Sequence, residues 1–100
     1  QTEKLIGCWC RDSGSHTSRR GLRIDFKMKY CFYNDGTMDE YMIADSYGSS
    51  TDLLRSGKDV DVDDNILTYR AADDGALHES TIVVEENALL MDNVRHHKCN

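Results

Sequence analysis

Four cysteines carry the most definite chemistry in this 100-residue chain. Cys8 and Cys10 flank Trp9, Cys31 lies inside a long alternating run, and Cys99 is the penultimate residue. Thiols can pair as disulfides or converge on zinc. Zinc needs its thiolates gathered at one point, usually from Cys-x-x-Cys knuckles, whereas Cys-x-Cys on a strand holds its sulfurs splayed. An even number of scattered cysteines in a small chain reads as a disulfide framework in an oxidising compartment.

Three other groupings could do chemistry. Asp59, Asp61 and Asp63 match the first positions of a calcium loop, but Asp64 stands where the turn glycine belongs and Arg70 where the bidentate glutamate belongs. The plainer reading is a strand with Val60 and Val62 inward and aspartates outward. His96-His97, with His16 and His78, could ligate zinc or copper, although adjacent strand residues face opposite sides. No nucleophile elbow, phosphate loop, HExxH or paired catalytic carboxylate motif occurs, so no catalytic residue and no cofactor is assigned. The polar stretch from Arg11 to Gly21 is longer than a hairpin loop needs, and it reads as a binding loop at the mouth of the fold. In it His16, Arg19 and Arg20 could grip a carboxylate or a backbone carbonyl. Tyr47 and Ser49, in the break Tyr47-Gly48-Ser49-Ser50, form a second contact loop, with Tyr supplying area at low entropic cost.

These residues must be positioned by strands. From Leu22 to Tyr33 apolar and polar residues alternate, with Leu22, Ile24, Phe26, Met28, Tyr30 and Phe32 on one face and Cys31 on the other. Asn34-Asp35-Gly36 is a hairpin signal. Strands follow at Met38–Asp45, around Asp52–Arg55, at Asp59–Val62, Ile66–Ala72, Leu77–Val84, Ala88–Met91 and Val94–Cys99, with turns at Asp73-Asp74-Gly75 and Asp92-Asn93. Ser56-Gly57-Lys58 reads as an interruption. The spacing predicts an all-β fold: a single antiparallel up-and-down β-barrel of about eight strands covering residues 1–100, laced by two disulfides.

In such a barrel Cys8 and Cys10 share the face opposite Trp9, and with Val94 inward Cys99 also points outward. The bridges then join the first strand to its neighbours on both sides, which requires closure. Two pairings remain: Cys8–Cys31 with Cys10–Cys99, or Cys10–Cys31 with Cys8–Cys99.

The segment Leu5-Ile6-Gly7-Cys8-Trp9 resembles the Gly-x-Trp opening of the lipocalin-like (calycin) barrels, and Phe32-Tyr33-Asn34-Asp35-Gly36-Thr37 is similar to a hairpin of small bacterial members. The resemblance implies a plug at the closed end made by Gly7 and Trp9, with Arg95 packed across the indole. That last contact needs a bulge, because Arg95 falls on the outer face when Val94 is inward. The chain is shorter than a typical lipocalin and has no room for the C-terminal helix of that family. Size and disulfides also resemble compact periplasmic barrels that inhibit enzymes such as cell-wall hydrolases.

Charge and length complete the expectation. The net charge is −6. Residues 1–33 hold seven basic and three acidic side chains, and residues 34–100 five and fifteen. An acidic chain does not suit nucleic acid, whose binding needs phosphate neutralisation, and it steers toward a basic partner. No stretch approaches the ~20 apolar residues of a membrane helix. A chain starting at Gln1 without an Asn-x-Ser/Thr sequon reads as a mature periplasmic or secreted protein whose signal peptide is removed.

The function expected is a non-catalytic protein-binding module, an inhibitor or immunity-type protein that blocks a secreted or periplasmic enzyme through its loops. A homodimer is also compatible with exposed loops. The alternative is a lipocalin-like carrier of a small apolar ligand, with Trp9, Phe26, Met28, Tyr30, Met42, Leu67 and Tyr69 lining its pocket. A second alternative is a metal-binding protein using residues 59–65 or the histidines.

Overall fold

The computed structural model describes residues 3–99 and contains a closed eight-stranded antiparallel barrel in sequential order. A 3-10 turn at Glu3–Leu5 precedes β1 (Gly7–Thr17), β2 (Arg23–Phe32), β3 (Met38–Asp45) and β4 (Ser49–Asp63). β5 (Ile66–Ala71), β6 (Leu77–Val84), β7 (Ala88–Met91) and β8 (Val94–Lys98) complete it. Among the described residues no helix is long and apolar enough to cross a membrane.

Turn chemistry sets the strand limits. Asp64-Asn65 and Asp92-Asn93 all adopt positive φ, the conformation that two-residue primed hairpins demand. At the β2–β3 turn Asp35 accepts from the Thr37 hydroxyl at 2.6 Å and from its backbone N–H at 3.0 Å. These bonds hold the Asp35 carboxyl below its ordinary pKa.

Two strands run further than expected. β1 extends through most of the polar stretch 11–21, because Ser15, His16 and Thr17 pair with Asp25, Ile24 and Arg23 past a bulge at residues 13–14. Gly14 supplies the positive φ there. Only residues 18–22 turn the chain, so the long loop is corrected to a hairpin. The expected pieces at 52–55 and 59–62 are one continuous strand. Gly57 does not interrupt β4. A Cβ there would lie 2.8 Å from the Tyr69 ring and 2.9 Å from the Met38 sulfur, so the missing side chain lets the core close over the strand.

The core occupies the closed end. Leu5, Trp9, Phe32, Met38, Leu67, Ile82 and Leu89 are buried together. The Trp9 indole N–H donates to the Leu5 carbonyl at 2.9 Å, which satisfies the one polar group the ring buries. Lys98, not Arg95, lies over the indole, its ammonium 5.1 Å from the ring centroid. Gly7, at φ 130°, leaves the room, since a Cβ would meet the lysine at 3.1 Å. Arg95 follows the parity of its strand outward and pairs with Glu85 at 3.2 Å, so no bulge brings it to Trp9.

The disulfides are Cys8–Cys31 and Cys10–Cys99. Cys8 stands directly across from Cys31 in the β1–β2 ladder. The second bridge lies at the seam where β1 meets β8 in only two residue pairs, Trp9 with Lys98 and Cys10 with His97. It clamps the ladder with the fewest residue pairs, beside which the Cys99 N–H donates to the Cys8 carbonyl at 3.0 Å. The sulfurs lie on the outer wall, but Cys10 and Cys31 are nevertheless buried, so an outward direction does not leave all four wet. Beside Cys31, Asp39 accepts from the Ser56 hydroxyl at 2.6 Å and the Tyr41 hydroxyl at 3.1 Å.

Candidate functional site

The eight strands differ in length, and the difference builds the site. β1–β4 have 11, 10, 8 and 15 residues, while β5–β8 have 6, 8, 4 and 5. The first four therefore project past the rest as a four-stranded blade, and the molecule measures 47 × 31 × 20 Å. In an up-and-down barrel the β1–β2 and β3–β4 turns fall at the same end. The two hairpins are neighbours, joined by the β2–β3 ladder up to the pair Asp25–Asp45.

The first tip is a closed turn. Ser18 N–H donates to the Leu22 carbonyl at 2.8 Å, Gly21 N–H donates to the Ser18 carbonyl at 2.9 Å, and Leu22 N–H donates to the Ser18 hydroxyl at 3.2 Å. This holds Arg19 and Arg20 out in solvent. His16 is exposed opposite Ile24, on the blade face continuous with the barrel interior. At the second tip Ser46 N–H donates to the Gly48 carbonyl at 2.9 Å, and Tyr47 stands 94% exposed. Ser49 pairs with Asp45 at the base of this turn. The fold thus brings His16, Arg19, Arg20, Tyr47 and Ser49 to one end. A concavity of about 420 Å³ opens just behind, lined by Asp12, Arg23, Asp25, Lys27 and Asp45 among others.

Charge is mixed along the molecule. The blade carries Arg19, Arg20, Arg23, Lys27 and Lys29, and among them Asp12, Asp25, Asp45 and Asp52. The opposite turns carry Asp35, Asp63, Asp64, Glu85 and Glu86. In the first turn, residues 18–22, Arg19 and Arg20 have no carboxylate among them, so these two guanidiniums suit an acidic group although the chain total is −6.

The barrel interior holds polar groups beside its aromatics. Glu40 faces inward between Met38 and Met42, its side chain 14% exposed, with Arg55 at 3.8 Å. The Tyr30 hydroxyl donates to Glu40 at 3.4 Å, and Arg55 donates to the Tyr69 hydroxyl at 3.3 Å. Tyr69 stacks on His78, with ring centroids 5.1 Å apart, and Tyr30 meets His96 edge-on at 5.5 Å. Burial first, then the Glu40 charge, pushes the Tyr30 hydroxyl up to about 12. His96 is 2% exposed. Its Nδ1 is 2.9 Å from the Val94 carbonyl, and its buried Nε2 has no partner among the described residues. Burial pulls its pKa below the ordinary value.

The set expected to line an apolar pocket therefore shares its space with Glu40, Arg55, His78 and His96. Trp9 and Leu67 are fully buried core, whereas Phe26 and Met42 are half-buried where the blade leaves the barrel. Asp59 has positive φ in a β4 bulge, and Asp61 and Asp63 alternate along the outer wall. Among the described residues no three acidic, imidazole or thiol side chains gather as a metal-holding set.

Sequence reasoning missed Glu40 and His96 as interior groups, and Arg55 and Lys98 as exposed cations that reach over Tyr69 and Trp9. A signal existed for three. Met38 and Met42 inward put Glu40 inward at period two, and Val94 inward does the same for His96 and Lys98. Arg55 had none, because the bulge opposite Glu40–Tyr41 resets the phase of β4.

The chain matches no family model, and comparison with curated proteins and with solved structures finds no match.

Proposed function

We propose that this protein is a non-catalytic binding module that blocks a secreted or periplasmic enzyme by presenting the two hairpin tips to its cleft. One observation carries the reading: the β1–β2 and β3–β4 hairpins project side by side from a disulfide-laced barrel, one tip bearing Arg19 and Arg20 and the other Tyr47. Ladder pairing and a closed turn hold the first tip before any partner arrives, so little ordering entropy is lost on binding. The two guanidiniums suit paired carboxylates, which charge-assisted bidentate bonds grip well. Tyr47 supplies apolar area beside them. The two disulfides are consistent with an oxidising extracellular or periplasmic environment.

The partner expected is thus an enzyme with an acidic cleft. Capture from secreted and periplasmic fractions on immobilised protein is expected to recover one stoichiometric hydrolase, with its activity lost in the complex. The double variant Arg19→Glu, Arg20→Glu keeps the fold and is expected to lose the capture. Recovery of no stoichiometric partner, or undiminished capture by the double variant, counts against the reading.

A further inference from the structure

We infer that the free edge of β4 is a self-association site, at which a second copy of this chain adds its own β4 antiparallel about a two-fold axis through Thr51. Ser49–Leu53 pair with Asp45–Tyr41 in unbroken register on one side. On the other side β5 reaches only Gly57, and the next backbone bond is from Ala72 N–H to the Ser56 carbonyl. Ser49–Arg55 are all exposed, and among the described residues nothing pairs with their outer backbone edge. Unpaired strand edges of this kind template the addition of another strand. The other blade edge, residues 12–17 of β1, is broken by the bulge at 13–14 and offers no regular ladder.

Self-complementarity selects the second copy as occupant. With Thr51 on the axis, opposed residues share a face across the regular stretch Ser49–Leu53. Thr51 meets its equivalent, Ser50 meets Asp52 of the second copy, and Ser49 meets Leu53. Paired threonines, and a hydroxyl opposite a carboxylate, are favourable neighbours. The next even register, centred on Asp52, would set two carboxylates face to face. The same arrangement covers exposed leucines of this hairpin. Leu53, 57% exposed, closes the new ladder opposite Ser49, and the bulged Leu54, 50% exposed, lies beside it. A two-fold contact closes on itself and stops at a dimer. The inference is independent of any foreign partner, because it concerns the purified chain alone.

Sedimentation equilibrium of the purified, oxidised protein between about 10 μM and about 1 mM covers the range expected of so short an interface. It is expected to show a reversible monomer–dimer equilibrium. Thr51→Lys puts like charges on the axis and is expected to weaken the dimer about tenfold or more, with the circular dichroism spectrum unchanged. Thr51→Cys is expected to give a covalent dimer under mild oxidation, because opposed residues at the axis lie about 4.5–5.5 Å apart. Leu77→Cys, on a distant exposed site, is expected not to. A monomer at all concentrations, a dimer untouched by Thr51→Lys, no selective crosslink at Thr51→Cys, or open-ended growth beyond two copies would each overturn the inference.

Discussion

At the scale of single residues, His96 and Glu40 are the polar side chains that the barrel turns toward its interior. His96 is buried beside Tyr30, with Arg11 and His97 adding positive charge nearby, so the folded protein disfavours its protonation. The unfolded chain takes up a proton near the ordinary histidine value of about 6.5. The unfolded state therefore binds more protons below that pH, and linkage makes stability fall as pH drops through and below it. Thermal melting from pH 8 to pH 5 is expected to show a falling Tm, and His96→Gln is expected to flatten that slope. An equally steep slope in the variant would assign the effect to other groups. Glu40 is the acceptor for Tyr30 and the charge partner of Arg55. Glu40→Gln is expected to destabilise by about 1 kcal/mol or less, because Arg55, whose side chain is 41% exposed, regains water when it loses the carboxylate. It also removes a charge that raises the Tyr30 hydroxyl, so ultraviolet titration is expected to show that hydroxyl ionising below about 12.

At the scale of elements, β4 decides most of the shape. Its lower part closes the barrel against β5, and its upper part supports the blade through β3 alone. Gly57 marks the change and lies under Tyr69 and Met38. Gly57→Val places branched carbons where the Cβ alone is already too close, and overpacking of this kind costs about 1–3 kcal/mol. Urea unfolding is expected to show the loss as a lower midpoint at unchanged slope. A neutral result would mean that the strand can move aside. β2 was legible from its alternation, and the primed turns at Asp64-Asn65 and Asp92-Asn93 from residue type. The upper half of β1 was not legible: Ser13 to Thr17 are polar or glycine, and they are held by pairing with β2, not by burial. Sequence patterns report burial, so a two-sided exposed hairpin reads as a loop.

At the scale of the whole molecule, the seam between β1 and β8 is the weak closure, with two residue pairs and one disulfide. Cys10 and Cys99 are 89 residues apart, and Cys8 and Cys31 are 23 apart. Loop-closure entropy puts the first bridge at about 5 kcal/mol and the second at about 3 kcal/mol. Cys10→Ser with Cys99→Ser is therefore expected to lower stability more than Cys8→Ser with Cys31→Ser. Chemical denaturation of the two double variants gives the order, and the reverse order would mean that local packing outweighs chain closure. The charge layout belongs to this scale as well. Acidic residues occupy turns at both ends, Asp35, Asp64, Glu85 and Glu86 at one and Asp73, Asp74 and Asp92 at the other, so the cationic character is confined to Arg19 and Arg20 at the first tip.

By itself, the amino-acid order determined what depends on near neighbours. Period-two alternation, turn residues tolerant of positive φ, and cysteines sharing one strand face required an all-β, up-and-down, bridged barrel. It narrowed the disulfides to two pairings. The choice of Cys8–Cys31 with Cys10–Cys99 rests on which residues stand opposite across β1, β2 and β8. Tertiary structure alone decided that choice, the placing of Lys98 on Trp9, the pairing of the inward Glu40 with the partly exposed Arg55, the unequal strand lengths and the open β4 edge. Each depends on register between strands distant in the chain, and a single bulge resets which side chains face inward.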